Sequence, residues 1–397
     1  MSKRKITPIA WVPTAYFAMG LPFVVVNMVS VLMLEGMGVD NASITFWTSL
    51  ILLPWTLKPL WSPFLELFRT KKFYVVTTQL VTGIAFGLTA LSLNFPEFFA
   101  PAIFFLAIVA FSGATHDIAC DGVYMSELST TQQSRYIGWQ GAFYNIAKIV
   151  ASGGLVYLAG WLIKHYAAEG PLTANCRAWT IIMLILGATM IVLGLYHVFI
   201  LPSSDGSGSG KPASRSASAI MGELWNVLKQ FFTKKHIFVY ILFIILYRFG
   251  EGFVVKVVPL FLKAARETGG LGLSTEQIGL FYGTYGAAAF VLGSLLAGYY
   301  ISALGLRKAL FSLVCAFNIP FLVYAFLAWQ QPEQSWIIAS GIVFEYFGYG
   351  FGFVGLTLFM MQQVAPGKHR MAHYAFASGL MNLGVMIPGM LRGWRAD

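Results

Sequence analysis

Ionisable residues set in apolar surroundings are where chemistry has to be sought in this chain. In THDIACDGVYMSEL, Asp117 and Asp121 stand four residues apart, so on a helix both carboxyls share one face. Two close acids resist ionising together, which suits them to binding a proton. The competing reading is structural, with the pair pinning neighbouring helices through Lys148, Arg135 or backbone donors. In YRFGEGFVVKVVP, Arg248 and Glu251 are spaced i, i+3, and Lys256 lies five residues further on. Arg248 or Lys256 could hold an anionic or hydroxyl-rich solute, with Glu251 as proton carrier or gate; equally, Arg248 and Glu251 could form an internal salt bridge. Glu345, in FEYFGYGFGF, is read as a functional acid, and Gly348, Gly350 and Gly352 beside it as packing residues. Gln140, Tyr144, Lys148 and Ser152 recur every four residues and form a polar stripe that could contact a substrate. Lys58, among Pro54, Pro59 and Pro63, is either such a contact or a structural partner of Asp117 or Asp121. His116 reads as a hydrogen-bonded packing residue. Trp47, Trp55, Trp61 and Trp139 belong to interfaces or packing, although aromatic faces can also stack on sugar rings.

Enzyme signatures are missing. GSGSGKP is too short for a phosphate loop, and Pro212 follows Lys211 where Ser or Thr is required. There is no HExxH, CxxC or serine-hydrolase motif, and Cys120, Cys176 and Cys315 are scattered. Neither a cofactor nor a metal site is expected.

The elements that must position these residues follow from composition. Of 397 residues, 11% are charged, 57% hydrophobic and 16% aromatic, against about 25% charged in soluble domains. Apolar runs near twenty residues match the bilayer core, where helices close their own hydrogen bonds. Continuous stretches such as 179–201 exclude a barrel of short alternating strands. The fold class is therefore an all-α polytopic membrane protein. Spans are expected at 9–34, 43–66, 73–94, 100–125, 135–163, 178–201, 236–263, 275–303, 306–330, 335–362 and 370–391. The Gly/Ser-rich stretch within 203–219 is a flexible linker between six spans and five. It divides an N-terminal bundle, 1–202, from a C-terminal bundle, 236–397; the connecting region 203–235 carries an interfacial helix over 220–232 that ends in headgroup-seeking Lys234, Lys235 and His236.

The formal charge of +10 resides in short connections, which argues against nucleic acid. Lys3, Arg4 and Lys5, then Arg69, Lys71 and Lys72, then Lys234 and Lys235, then Arg307 and Lys308, then Lys368 and Arg370 fall on one side. The opposite connections are poorer in Lys and Arg, so the N-terminus is expected in the cytoplasm. Four bases, Lys58, Lys148, Arg248 and Lys256, and four acids, Asp117, Asp121, Glu251 and Glu345, remain inside spans. There each costs a few kcal/mol or more unless paired or hydrated, so networks around a wet cavity are expected.

Basic turns follow the second span of each half, in LELFRTKK and LGLRKAL, which with the six-span unit and central linker resembles the two-bundle architecture of the major facilitator superfamily. More narrowly, the chain resembles the AmpG-type muropeptide permeases, a family related to acetyl-coenzyme A transporters. The matching pieces are GLP at Gly20–Pro22, PWTLKPLWSPFLE at Pro54–Glu66, THDIACDG at Thr115–Gly122, YRFGEGF at Tyr247–Phe253, FEYFGYGFG at Phe344–Gly352 and HYAFASGLMNLG at His373–Gly384. The resemblance implies proton-driven import of GlcNAc-anhydro-MurNAc and its peptides across the bacterial cytoplasmic membrane by alternating access. It carries functional positions onto Lys58, Asp117, Asp121, Arg248, Glu251 and Glu345. Lys148 and Lys256 have no clear counterpart, and a twelfth span, expected after Trp394, is missing from the sequence. The expected partners are a small-molecule substrate, protons and the bilayer, with the chain acting as a monomer. Competing readings are a transporter of another organic anion or sugar derivative, a membrane-embedded transferase using Asp117, Asp121 and His116, and a sensor that binds without translocation.

Overall fold

The protein is described by a computed structural model covering residues 6–202 and 217–393, with the side chains of Leu67, 217–220, Val255, Lys256, Thr275, Glu276 and 385–393 excepted. Most of the expected linker, 203–216, and Trp394 lie outside these residues. Regular structure among the described residues is entirely helical. In chain order the helices are α1 (Pro8–Gly36), α2 (Asn41–Leu50), α3 (Leu53–Phe68), α4 (Lys71–Ser92), α5 (Phe99–Glu127), α6 (Thr130–His165) and α7 (Pro171–Ile200). There follow α8 (Ala217–Phe232), α9 (Ile237–Lys263), α10 (Gly279–Leu304), α11 (Leu306–Gln330), α12 (Ser335–Val364) and α13 (Arg370–Gly393). Nine of these, all but α2, α3, α8 and α13, are long and apolar enough to cross a membrane.

The expected span 43–66 is two helices, and proline is the reason. Pro54 lies in the first turn of α3, where its missing N–H costs nothing, but it cannot extend α2. At the other ends, Asp40 caps α2 by accepting from the Ser43 N–H at 2.9 Å, and the Thr70 hydroxyl caps α4. Gly305, at φ +80°, supplies the turn from α10 into α11. Four long helices contain a π-helical stretch: Val25–Val29, Val150–Leu155, Gly279–Tyr285 and Met360–Val364. Such insertions break the regular ladder and bend helices locally.

The chain forms two compact units. One comprises Met1–Glu127 with Phe143–Ala219, the other Leu128–Ala142 with Ile220–Asp397. In the first, Val29, Leu34, Phe86, Leu106, Ile182 and Met183 are buried in one apolar core. In the second, Val258, Leu262, Leu327, Ile338 and Ile342 form a core of their own. Lipid tails are as apolar as leucine, so apolar burial gives little drive for helices to associate; close approach and interhelical hydrogen bonds take over. Gly83 and Gly187 let α4 and α7 meet backbone to backbone, since a methyl at either would lie 2.8 Å from the other's carbonyl oxygen. Gly350 seats α12 on α10, where a methyl would overlap the Phe290 carbonyl, while Gly348 and Gly352 seat it on α11. The glycines around Glu345 are packing residues, as read from sequence.

The helix expected at the membrane interface corresponds to α8. Val227 and Phe231 are buried, with the Phe231 ring 5.2 Å from Phe376 on α13, while Met221 and Trp225 are exposed. Lys234 donates to the carbonyls of Val364, the last residue of α12, and of Pro366 just beyond it. The last carbonyls of a helix generally lack an intrahelical partner, so an ammonium at Val364 is a fitting cap.

Candidate functional site

Each unit contains a buried group of charges, built on the same plan from different helices.

In the first unit, Lys58 reaches from α3 to α5 and places its Nζ 2.6 Å from Asp117 Oδ2. The Trp55 indole, one turn earlier on α3, donates to the same oxygen at 3.0 Å. Asp117 Oδ1 is buried and makes no hydrogen bond. Lys58 is thus the ion-pair partner of Asp117. Asp121 turns to α1 instead, accepting from the Tyr16 hydroxyl at 2.8 Å. Tyr16 is itself fixed by an edge-on contact with Tyr124, ring centroids 5.8 Å apart. The two aspartates share a helical face as the spacing requires, yet they serve different neighbours.

The polar stripe on α6 falls into two environments. Tyr144, Lys148 and Ser152 belong to the first unit, and the Lys148 ammonium lies over the Tyr144 ring at 5.3 Å from its centroid. Gln140 belongs to the second unit, where its Oε1 is buried without a hydrogen bond. His116 is held as a packing residue, with Nε2 3.0 Å from Gln79 Nε2. Gln79 Oε1 contacts His197 Nδ1 at 2.9 Å, and His197 Nε2 contacts the Thr14 hydroxyl at 3.0 Å. This chain of side chains ties α1, α4, α5 and α7 together and engages His116 through Nε2.

In the second unit, the guanidinium of Arg248 grips Glu251 in a two-pronged bond, Nε to Oε2 at 2.6 Å and the second nitrogen to Oε1 at 2.5 Å. The geometry follows from a break in α9. Arg248, at φ −101° and ψ 3°, interrupts the helix, so Glu251 lies in the first turn of the segment that starts at Phe249. A carboxylate there meets the positive end of the helix dipole. The Tyr349 hydroxyl on α12 donates to Glu251 Oε1 at 3.0 Å, and the Phe353 ring stacks over the guanidinium at 5.4 Å. Glu345, also on α12, is buried and accepts from the Tyr324 hydroxyl of α11 at 3.0 Å. Rings crowd around it, Tyr282 meeting Tyr346 edge-on at 4.9 Å. The side chain of Lys256 lies outside the described residues, and among those residues no cluster has the makings of a metal site.

The ion-pair partners were legible as residue types; the aromatic donors were not. Trp55 and Tyr349 lie inside quoted motifs, but Tyr16 and Tyr324 carry no local signal, because their roles depend on which helices pack together.

Buried charges paired within each of two units, in a chain with nine membrane-length helices among the described residues, define a polytopic membrane transporter rather than an enzyme. The chain belongs to the major facilitator superfamily, whose family model matches residues 14–391. Among curated relatives, a putative transporter AmpG 4 of Rickettsia conorii is 22% identical over 375 residues, covering 92% of this chain and 84% of that protein. The anhydromuropeptide permease of Escherichia coli is 21% identical over 394 residues, covering 95% and 72%. Among solved structures, the E. coli fucose:proton symporter superposes with a TM-score of 0.70 at 14% identity, covering 100% of this chain and 93% of that one. A bacterial homologue of the iron transporter ferroportin, in an outward-facing state, gives 0.63 at 15% identity, covering 96% and 89%. At these identities the structural likeness speaks to fold alone.

Proposed function

We propose that the protein imports anhydro-muropeptides, or closely related cell-wall sugar-peptides, across the bacterial cytoplasmic membrane together with protons, as a monomer working by alternating access with its N-terminus in the cytoplasm. The observation that carries this reading is the buried acid and base groups at Lys58/Asp117/Asp121 and Arg248/Glu251/Glu345 in a chain similar along 95% of its length to an anhydromuropeptide permease. Buried charges within a membrane are kept for solute or ion handling. Tyr144 and Lys148 in the first unit and Gln140 in the second are each candidate contacts for a cargo carrying sugar hydroxyls and peptide carboxylates, offering a hydroxyl, a cation and an amide respectively. Lys256 is a further candidate contact from its place in the sequence alone.

The test is uptake into proteoliposomes under an imposed pH gradient, with labelled GlcNAc-anhydro-MurNAc and a panel of sugars and organic anions as competitors. Gradient-driven accumulation, competed by anhydro-muropeptides, is expected. Accumulation of a different organic anion without muropeptide competition would replace the cargo. Normal gradient-driven uptake by Asp117→Asn, Asp121→Asn, Glu251→Gln and Glu345→Gln alike would remove the carboxylates from coupling.

A further inference from the structure

The two buried groups share a feature that their residue types conceal. Each contains one carboxylate compensated by a base and one with no base paired to it among the described side chains. Asp117 is neutralised by Lys58, and Glu251 by Arg248. Asp121 and Glu345 instead each take a hydrogen bond from a neutral tyrosine, Tyr16 and Tyr324 respectively. Among the described side chains, which do not include that of Lys256, no ion pair joins either of them to a base. Their positions correspond as well: Asp121 is on the fourth expected span of the first half, and Glu345 on the fourth of the second.

Charge accounting separates the two kinds of carboxyl. A proton on Asp117 or Glu251 would leave Lys58 or Arg248 as an uncompensated buried cation, a strongly unfavourable arrangement. A proton on Asp121 or Glu345 removes an uncompensated buried anion and strands nothing, because a carboxylic acid still accepts from its tyrosine through the carbonyl oxygen. The ionisable surroundings agree. Asp121 faces Asp117, Cys120, Tyr16 and Tyr144, with Lys58 already engaged by Asp117. Glu345 faces Glu251, itself neutralised by Arg248, and Tyr282, Tyr324, Tyr346 and Tyr349.

From this geometry we propose that the transporter carries two protons per cycle, one on Asp121 in the first unit and one on Glu345 in the second, while Lys58–Asp117 and Arg248–Glu251 stay ionised as fixed pairs. The inference rests on the proton-coupled reading above and deepens it. On the uptake side, each carboxylate oxygen forms an O–H bond with a proton from the adjoining water. On the release side the bond breaks and the proton passes to water, with nothing oxidised or reduced.

Infrared difference spectra of the purified protein in nanodiscs, taken on acidification, test the sites without any substrate. Two protonated-carboxyl carbonyl bands are expected. Asp121→Asn should remove one and Glu345→Gln the other; Tyr16→Phe should shift only the first, and Tyr324→Phe only the second. One band, or two that ignore these substitutions, would overturn the proposal. Stoichiometry is read from steady-state accumulation of labelled GlcNAc-anhydro-MurNAc at clamped membrane potential. Each coupled proton contributes about tenfold per pH unit, so about a hundredfold per unit is expected, falling to about tenfold in either single variant. A wild-type slope of about tenfold overturns the two-proton count and leaves coupling intact. Accumulation that ignores the gradient overturns the coupled reading, and this inference falls with it.

Discussion

At the scale of single residues, the difference between a paired and an unpaired buried charge decides what a substitution does. Lys58→Ala leaves Asp117 without its cation and with only the Trp55 indole as donor. Breaking a buried pair in this way costs roughly 3 kcal/mol or more, whereas replacing both partners is far milder. Thermal unfolding in detergent should therefore show a large loss for Lys58→Ala that is substantially recovered in Lys58→Ala/Asp117→Asn. If the double variant were as unstable as the single, the pair would not be the relevant contact. At Glu251, Tyr349→Phe removes one donor of several and should cost about 1 kcal/mol. Arg248→Lys gives up the two-pronged geometry and should impair uptake much more, because an ammonium cannot grip both carboxylate oxygens in the same plane.

Helices and their junctions set a second group of effects. Gly350→Leu would force α12 away from α10, since even a methyl there overlaps backbone, and a marked drop in melting temperature is expected. Gly153→Ala, on α6 with nothing within 4 Å, should be neutral or slightly stabilising, since alanine is the better helix former by about 1 kcal/mol. Equal effects at the two positions would show that helix propensity, not close approach, governs the packing. The Lys234 clamp on the α12 terminus adds a pH dependence. Partial burial pushes its ammonium from 10.5 down to about 8. Between those values the folded state binds fewer protons than the unfolded chain, so the penalty for burying the charge is full below about pH 8 and fades as pH rises towards 10.5. The stability of the protein relative to Lys234→Met should therefore increase across that window. A pH-independent difference in melting temperature would mean that the amine is as well solvated as in the unfolded chain.

For the molecule as a whole, the uneven distribution of Lys and Arg gives a topological expectation. A single cysteine at Ser207, in a variant lacking Cys120, Cys176 and Cys315, should be labelled by an impermeant thiol reagent only after intact cells are opened. Labelling from outside would invert the orientation and with it the direction of import.

How much of this could be read without coordinates varies by feature. The membrane class, the eight intramembrane charges and most helix positions follow from local pattern. Apolar run length must match the bilayer, and ionisable groups stand out against it. The break between α2 and α3 does not follow from Pro54 alone, because a proline can either kink a span or start a new helix, and only the neighbouring helices decide which. The spacing of Asp117 and Asp121 placed them on one face, but their separate partners, Lys58 and Tyr16, lie 59 and 105 residues away in sequence. Likewise Arg248–Glu251 was foreseeable from an i, i+3 interval, and Tyr324 beside Glu345 was not. Composition and periodicity alone therefore determined a helical transporter with charges held inside it. Only tertiary packing decided which carboxyls are neutralised by a base and which rest on a tyrosine, because that depends on which helix faces meet, and no local interval records it.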